Sequence, residues 1–120
     1  MKKAVTILLY VVRLLALALV TLGVLFWMGR FHDLVPVHMR MGETLIAALW
    51  ILSAIGLRAG VKPGLAIGAI VYGLLAFVFA INMGTLLPGG AHEVIRVLHL
   101  LIGLGAVGLA EAIAARVKRA

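Results

Sequence analysis

The chain has 120 residues, of which 65% are hydrophobic and 12% are charged, and its mean hydropathy is +1.24. A soluble domain carries charge on about a quarter of its residues, so this composition predicts an integral membrane protein. The sequence contains no cysteine, which excludes disulfide frameworks and thiolate metal sites. The net charge of +7 does not indicate nucleic-acid binding, because the basic residues stand at helix ends without interleaved aromatic residues.

Four apolar segments follow one another, each long enough to cross a bilayer as a helix. We expect spans at about 4–28, 34–57, 63–83 and 91–115. Asp33 is the predicted N-cap of the second span, and Pro88-Gly89-Gly90 breaks the chain before the fourth. Short connections favour antiparallel neighbours, so the predicted fold is all-α, a single transmembrane domain over 1–120 built as an up-down four-helix bundle.

The basic residues predict how this bundle is oriented. With the N-terminus inside, seven of the eleven Lys and Arg residues lie on the cytoplasmic face, and the outer face is close to neutral. The positive-inside rule therefore predicts that both termini are cytoplasmic, in the inner membrane of a bacterium. The seven residues are Lys2, Lys3, Arg58, Lys62, Arg116, Lys118 and Arg119.

Arg13 is the one charged residue inside the first span, and it needs a partner at similar depth. The helical rise puts Glu111 of the fourth span about 6 Å away in height, within reach of an arginine side chain. We predict an ion pair between them, with a structural role favoured over transport.

Small residues recur at helical spacing in the third and fourth spans, a pattern that lets helix backbones approach closely. Ordinary packing within the bundle is the favoured explanation, and homodimerisation through Gly64 and Gly68 is the alternative. The residues are Gly64, Gly68, Ala76 and Ala80 in the third span and Gly103, Ala106, Gly108 and Ala110 in the fourth.

All four histidines, His32 among them, fall in the predicted outer half of the bundle. His92 and His99 are seven residues apart and share a helix face. A weak internal repeat places a glycine four residues after His38 and four residues after His99. If the second and fourth spans face each other, the two imidazoles approach from opposite sides.

Two facing imidazoles suit axial ligation of one haem b. Gly42 and Gly103, one turn from each histidine, would leave room for the edge of the porphyrin. Arg40 and Arg96, with Arg30, lie at the outer mouth, where they would pair with the haem propionates. His92 is the alternative ligand.

His38 with Gly42 and His99 with Gly103, on the second and fourth helices, resemble the ligand positions of the four-helix membrane cytochromes b. The resemblance implies electron transfer, with quinol and an outer-face acceptor as redox partners. Respiratory members carry two histidines on each ligand helix, whereas the second span here has only His38, so one haem at most is implied. The chain as a whole also resembles many small four-span membrane proteins of bacteria.

Other functions stay open at this point. A non-haem metal site would use His38, His92 and His99 with Glu43 or Glu93, or the histidines would only hydrogen-bond between helices. A cofactor-free accessory or assembly subunit of a larger membrane complex is the second function, and a small transporter using Glu43 or Glu111 is the third. The sequence shows no nucleotide motif and no hydrolytic arrangement, so an electron carrier or accessory subunit is favoured over an enzyme.

Overall fold

The computed structural model describes residues 2–86 and 89–119, and in these ranges the chain is helical with no β-strand. It forms four long helices, α1 (Lys2–Trp27), α2 (Val35–Arg58), α3 (Pro63–Asn82) and α4 (His92–Arg119). All four are long and apolar enough to cross a membrane, which confirms the predicted all-α class. α4 continues to Arg119, past the predicted end of the fourth span.

The helices form an elongated bundle of 47 × 24 × 17 Å. Each helix packs against the next along the chain, α4 closes the ring against α1, and α2 also touches α4 across the middle. α2 and α4 therefore form the short diagonal of the bundle. This diagonal brings together the two helices that carry His38 and His99.

Two of the connections are set by glycines with positive φ. Gly29 (φ 81°) follows α1, and the amide of Arg30 donates to the carbonyl of Leu25. Gly60 (φ 85°) follows α2, and the amide of Val61 donates to the carbonyl of Gly56. Both are Schellman motifs, which end a helix by satisfying its last carbonyls and turn the chain sharply.

The start of α2 differs from the prediction. Asp33 lies in a 3₁₀ turn, His32–Leu34, and Leu34 takes the N-cap position without a side-chain hydrogen bond. Pro36 in the first turn of α2 has no amide hydrogen to satisfy, which reduces the need for a capping side chain. Pro88, predicted to break the chain before α4, lies outside the described residues.

The threonine and serine hydroxyl groups inside the four long helices bond to their own helix. Thr6, Thr21, Thr44 and Ser53 each donate to the carbonyl four residues earlier, at 2.8–3.0 Å. A polar group in hydrocarbon must find its partner within the protein, and this local bond supplies one without a second helix. These side chains therefore suit an apolar surrounding.

The bundle has two unlike halves. We call the part near both chain ends the terminal half (2–14, 47–72 and 106–119) and the part near the first and third connections the loop half (15–46 and 73–105). Among the described residues, the terminal half holds nearly the whole core, and in the loop half Ile95 alone is buried away from the midline. The core residues of the terminal half are Val5, Leu9, Val12, Ala48, Leu49, Leu52, Val61, Ala66, Ala69, Ala106, Ala110, Ile113, Ala114 and Val117.

Two aromatic side chains connect neighbouring helices near the midline. Trp50 of α2 donates its indole N–H to the carbonyl of Ile70 on α3, at 3.1 Å. Tyr72 of α3 donates its hydroxyl to the carbonyl of Ile102 on α4, at 2.7 Å. In both cases a glycine stands three residues after the accepting carbonyl, which leaves that carbonyl open to the incoming side chain.

Glycine is required at both positions because an aromatic side chain lies directly against the backbone there. A Cβ atom on Gly73 would lie 2.6 Å from the indole nitrogen of Trp50, and one on Gly105 would overlap the hydroxyl of Tyr72. Some of the small residues at helical spacing in α3 and α4 are buried, and others are exposed. Ala106 and Ala110 are buried as the packing interpretation expects, whereas Gly64 and Gly68 would have no atom within 4 Å of an added Cβ. Packing within the bundle is therefore the wrong explanation for those two glycines.

Candidate histidine site in the loop half

His38 of α2 and His99 of α4 meet inside the loop half. Their ring centroids are 6.2 Å apart, and the ring planes are inclined by 51°. Both residues are partly buried. The sequence predicted that the two imidazoles approach from opposite sides, and the diagonal contact between α2 and α4 brings them together.

A phenyl ring flanks each imidazole on its outer side. Phe26 of α1 meets His38 edge to face at 5.3 Å, and Phe79 of α3 stacks on His99 at 6.4 Å with the planes only 15° apart. Each of the four helices thus contributes one ring to a row across the bundle. Neither phenylalanine was predicted from the sequence, although each lies within five residues of a Met-Gly pair that ends the helical segment.

The ring of His38 has an unsatisfied nitrogen. Its Nδ1 atom is buried and has no hydrogen-bond partner among the described residues. Leaving a buried polar atom without a partner costs about 1–3 kcal/mol, so such an atom needs an explanation. The alternative in which the histidines only hydrogen-bond between helices does not account for this ring.

The region around the two imidazoles has open space beside the backbone. A Cβ added to Gly42 or to Gly103 would meet no atom within 4 Å, and one added to Gly23 of α1 would lie 3.8 Å from Cε1 of His38. Gly42 and Gly103 stand one turn from His38 and His99 respectively. The two glycines therefore leave space on the side of the histidines that faces the midline.

The predicted arginines lie within three residues of the histidines along α2 and α4, and each contacts a carboxylate of its own helix. Arg96 donates to Glu93 at 3.0 Å, and Glu93 also accepts from the indole N–H of Trp27 at 2.8 Å. Arg40 contacts Glu43 at 3.4 Å, and its side chain is largely exposed. Each of these arginines keeps N–H donors beyond the one given to its carboxylate.

Neither of the remaining histidines stacks directly on His38 or His99, although His32 packs on the Phe26 ring that flanks His38. His92 has its Nδ1 atom 3.1 Å from the carbonyl of Leu86, and His32 stacks on Phe26 at 6.1 Å. Among the described residues, no group of three His, Cys, Asp or Glu side chains is placed to hold a metal ion. The structure therefore does not bring together the predicted non-haem metal site of His38, His92, His99 and Glu43 or Glu93.

The two carboxylates considered for proton-coupled transport have different surroundings. Glu111 receives two hydrogen bonds from Arg13, at 2.7 and 3.0 Å, which confirms the predicted ion pair. Glu43 lines a groove of about 450 Å³ on the α2/α3 side, together with Ile46, Ala47, Trp50 and Phe77. The charge of Glu111 is thus balanced by that of Arg13, which suits a structural role better than proton transfer.

Comparison with known proteins finds no matching family model, no matching curated protein and no matching solved structure. Any assignment of function therefore depends on the geometry of the site described above.

Proposed function

We propose that this chain is a b-type haem membrane protein that carries electrons, with His38 and His99 as the axial ligands of one haem. The observation that supports this is the distance between the two imidazoles. Two metal–imidazole bonds of about 2 Å, with the distance from each nitrogen to its ring centre, together span about 6 Å. The ring centroids are 6.2 Å apart, so the separation of the two imidazoles is the one that a shared iron would require.

The number of protein ligands also favours haem over a free metal ion. A metal bound by side chains alone ordinarily needs at least three of them, and the described residues offer only the two imidazoles here. In haem the porphyrin itself provides four ligands, so two axial histidines complete the set.

The surrounding residues would hold and shield the group. Gly42 and Gly103 give the macrocycle edge room, and Phe26 and Phe79 pack behind the imidazoles and fix their ring planes. Haem supplies one-electron chemistry at its iron, with a potential tuned by the axial ligands and by burial. Arg40 and Arg96 have the free N–H donors that carboxylates of the haem edge require.

The proposed setting is the inner membrane of a bacterium, with four spans and both termini cytoplasmic. Charge distribution supports this orientation, because the terminal half carries most of the Lys and Arg residues. The histidine site would then lie near the outer face. Quinol in the bilayer and an acceptor outside are the proposed redox partners.

The decisive experiment is an absorption spectrum of the protein purified from haem-replete cells, oxidised and then reduced. We expect b-type bands in the reduced-minus-oxidised spectrum, lost in His38→Ala and in His99→Ala. His92→Ala is the matched control, because it removes an imidazole from the same half that does not touch the row of rings, and it should keep the spectrum. A colourless wild-type protein would refute the proposal, and bands retained in His99→Ala would refute the ligand assignment.

A second candidate function is a cofactor-free accessory subunit, and one observation favours it. Gly64 and Gly68 lie exposed on α3 with open space beside them, so a helix of another subunit has close access to this backbone. Co-purification of a defined partner in mild detergent, lost in Gly64→Leu or Gly68→Leu and retained in Ile67→Leu, would support this function.

A further inference from the structure

The pair of Arg13 and Glu111 lies on the outside of the bundle, at the seam between α1 and α4. The two side chains share two hydrogen bonds, yet 49% of the Arg13 side chain and 38% of the Glu111 side chain remain exposed. The ring of Tyr10, 5.7 Å from the guanidinium, covers part of one side. The chain itself therefore leaves much of this ion pair uncovered.

The ion pair is also far from either end of the bundle. At 1.5 Å per residue, Arg13 is about 16 Å along α1 from Lys2, and Glu111 is about 12 Å along α4 from Arg119. The hydrocarbon layer of a bilayer is about 30 Å thick, so in a membrane-spanning bundle both groups lie within it. Charged groups exposed to hydrocarbon are costly, and such groups normally face protein or a polar cavity.

Any group that covers this seam must supply hydrogen-bond partners to both Arg13 and Glu111. A guanidinium has five N–H donors, of which two are given to Glu111, and the carboxylate has further lone pairs. An apolar helix supplies neither donors nor acceptors at this depth, and an anionic lipid supplies acceptors only. A second Arg13–Glu111 pair supplies both, with opposite charges facing one another.

The surface around the pair allows two helix pairs to approach closely. Leu104, Gly108 and Ala115 of α4 lie within about 60° of Glu111 at 100° per residue, and all three are exposed. A Cβ on Gly108 would meet no atom within 4 Å. On α1, Leu17 follows Arg13 by one turn and is 68% exposed.

We propose that two copies of this chain associate through the α1/α4 seam, about a two-fold axis along the membrane normal. Such an axis keeps both copies in the same orientation, and it therefore places their Arg13–Glu111 pairs at the same depth. Each arginine then donates to the carboxylate of the other copy as well as to its own. This inference rests on the proposed membrane insertion and is independent of haem.

The natural absence of cysteine makes the test direct, because every single-cysteine variant has one thiol. Gly108→Cys and Leu17→Cys place it on the seam, and Leu74→Cys, on an α3 position that is 51% exposed, is the control. A short bis-maleimide is added to membranes before detergent. We expect a product of twice the monomer mass for both seam variants, at least about tenfold more than for the control.

Three results would overturn the proposal: no product from either seam variant, a product of another mass, or efficient cross-linking of Gly68→Cys in place of the seam. The role of the ion pair is tested in the Gly108→Cys background. Removing both charges, as Arg13→Met with Glu111→Leu, should reduce the product by about tenfold. Exchanging them, as Arg13→Glu with Glu111→Arg, should restore it.

Cross-linking of Gly108→Cys and Leu17→Cys keeps Arg13 and Glu111 unchanged, so this experiment remains informative if the charge variants fail to fold. Unchanged cross-linking in the charge-free variant would overturn the role of the pair. The haem spectrum and the cross-linking read out different parts of the molecule, so failure of one proposal leaves the other standing.

Discussion

The two halves of the bundle use different side chains for different purposes. The terminal half is packed around alanines and aliphatic residues, which bring the backbones of α2, α3 and α4 close together. The loop half places a row of four rings, Phe26, His38, His99 and Phe79, where the core would otherwise continue. The buried packing is therefore concentrated at one end, away from the two histidines.

Filling the space beside His99 tests whether the loop half holds a flat group. Gly103→Leu should lower the haem content of the purified protein by about tenfold or more, because the leucine occupies the space proposed for the macrocycle edge. Haem per polypeptide, from the spectrum and the protein concentration, is the measurement. Gly68→Leu, at an equally open glycine of α3, is the control and should retain haem. Equal haem content in both variants would contradict the predicted role of Gly103.

A truncation in each half tests where the stability lies. Leu52→Ala, at a fully buried position of the terminal half, should lower the free energy of unfolding by roughly 2 kcal/mol. Lipid is as apolar as leucine, so the cost comes from the cavity and not from transfer to water. Leu25→Ala, at a partly buried position of the loop half, should cost well under half of that. Titration with SDS in bicelles measures both, and equal costs would contradict the division into halves.

Two glycines of α4, two residues apart, allow a finer test at the midline. Gly105→Ala should lower the free energy of unfolding by about 1–3 kcal/mol, because the new methyl group displaces the hydroxyl of Tyr72 and breaks its bond to Ile102. Gly103→Ala meets open space and should be neutral or slightly stabilising, since alanine favours a helix. The same SDS titration applies, and a reversed order of the two effects would refute this account.

The smallest expected loss of stability comes from removing a single hydrogen bond made by an aromatic side chain. Tyr72→Phe keeps the ring and removes the hydroxyl, which should lower the free energy of unfolding by about 0.6 kcal/mol, as is usual for such bonds in membranes. Tyr10→Phe, on the exposed face of α1, is the control with no expected change in stability. A loss above about 2 kcal/mol would contradict the expectation that this bond contributes as much as a typical hydrogen bond between membrane helices.

Two pairs of side chains were predictable because their members lie at similar positions along the bundle axis. Arg13 and Glu111 pair as expected, since a charge in an apolar helix needs the nearest opposite charge at its own height. His38 and His99 lie at the same end for a similar reason. The N-cap at Asp33 was wrong, because a 3₁₀ turn begins at His32 and moves the start of α2 to Val35.

The number of helices, their approximate limits and the position of each polar residue along the bundle axis follow from the sequence alone, because hydropathy and helical rise are local quantities. Which helix faces meet depends instead on tertiary packing. That packing sets Phe26 and Phe79 behind the imidazoles and Trp50 and Tyr72 over Gly73 and Gly105, and it concentrates the core in one half. A helix that is apolar on every side carries no strong pattern to fix its rotation about its axis, so those contacts depend on packing among all four helices.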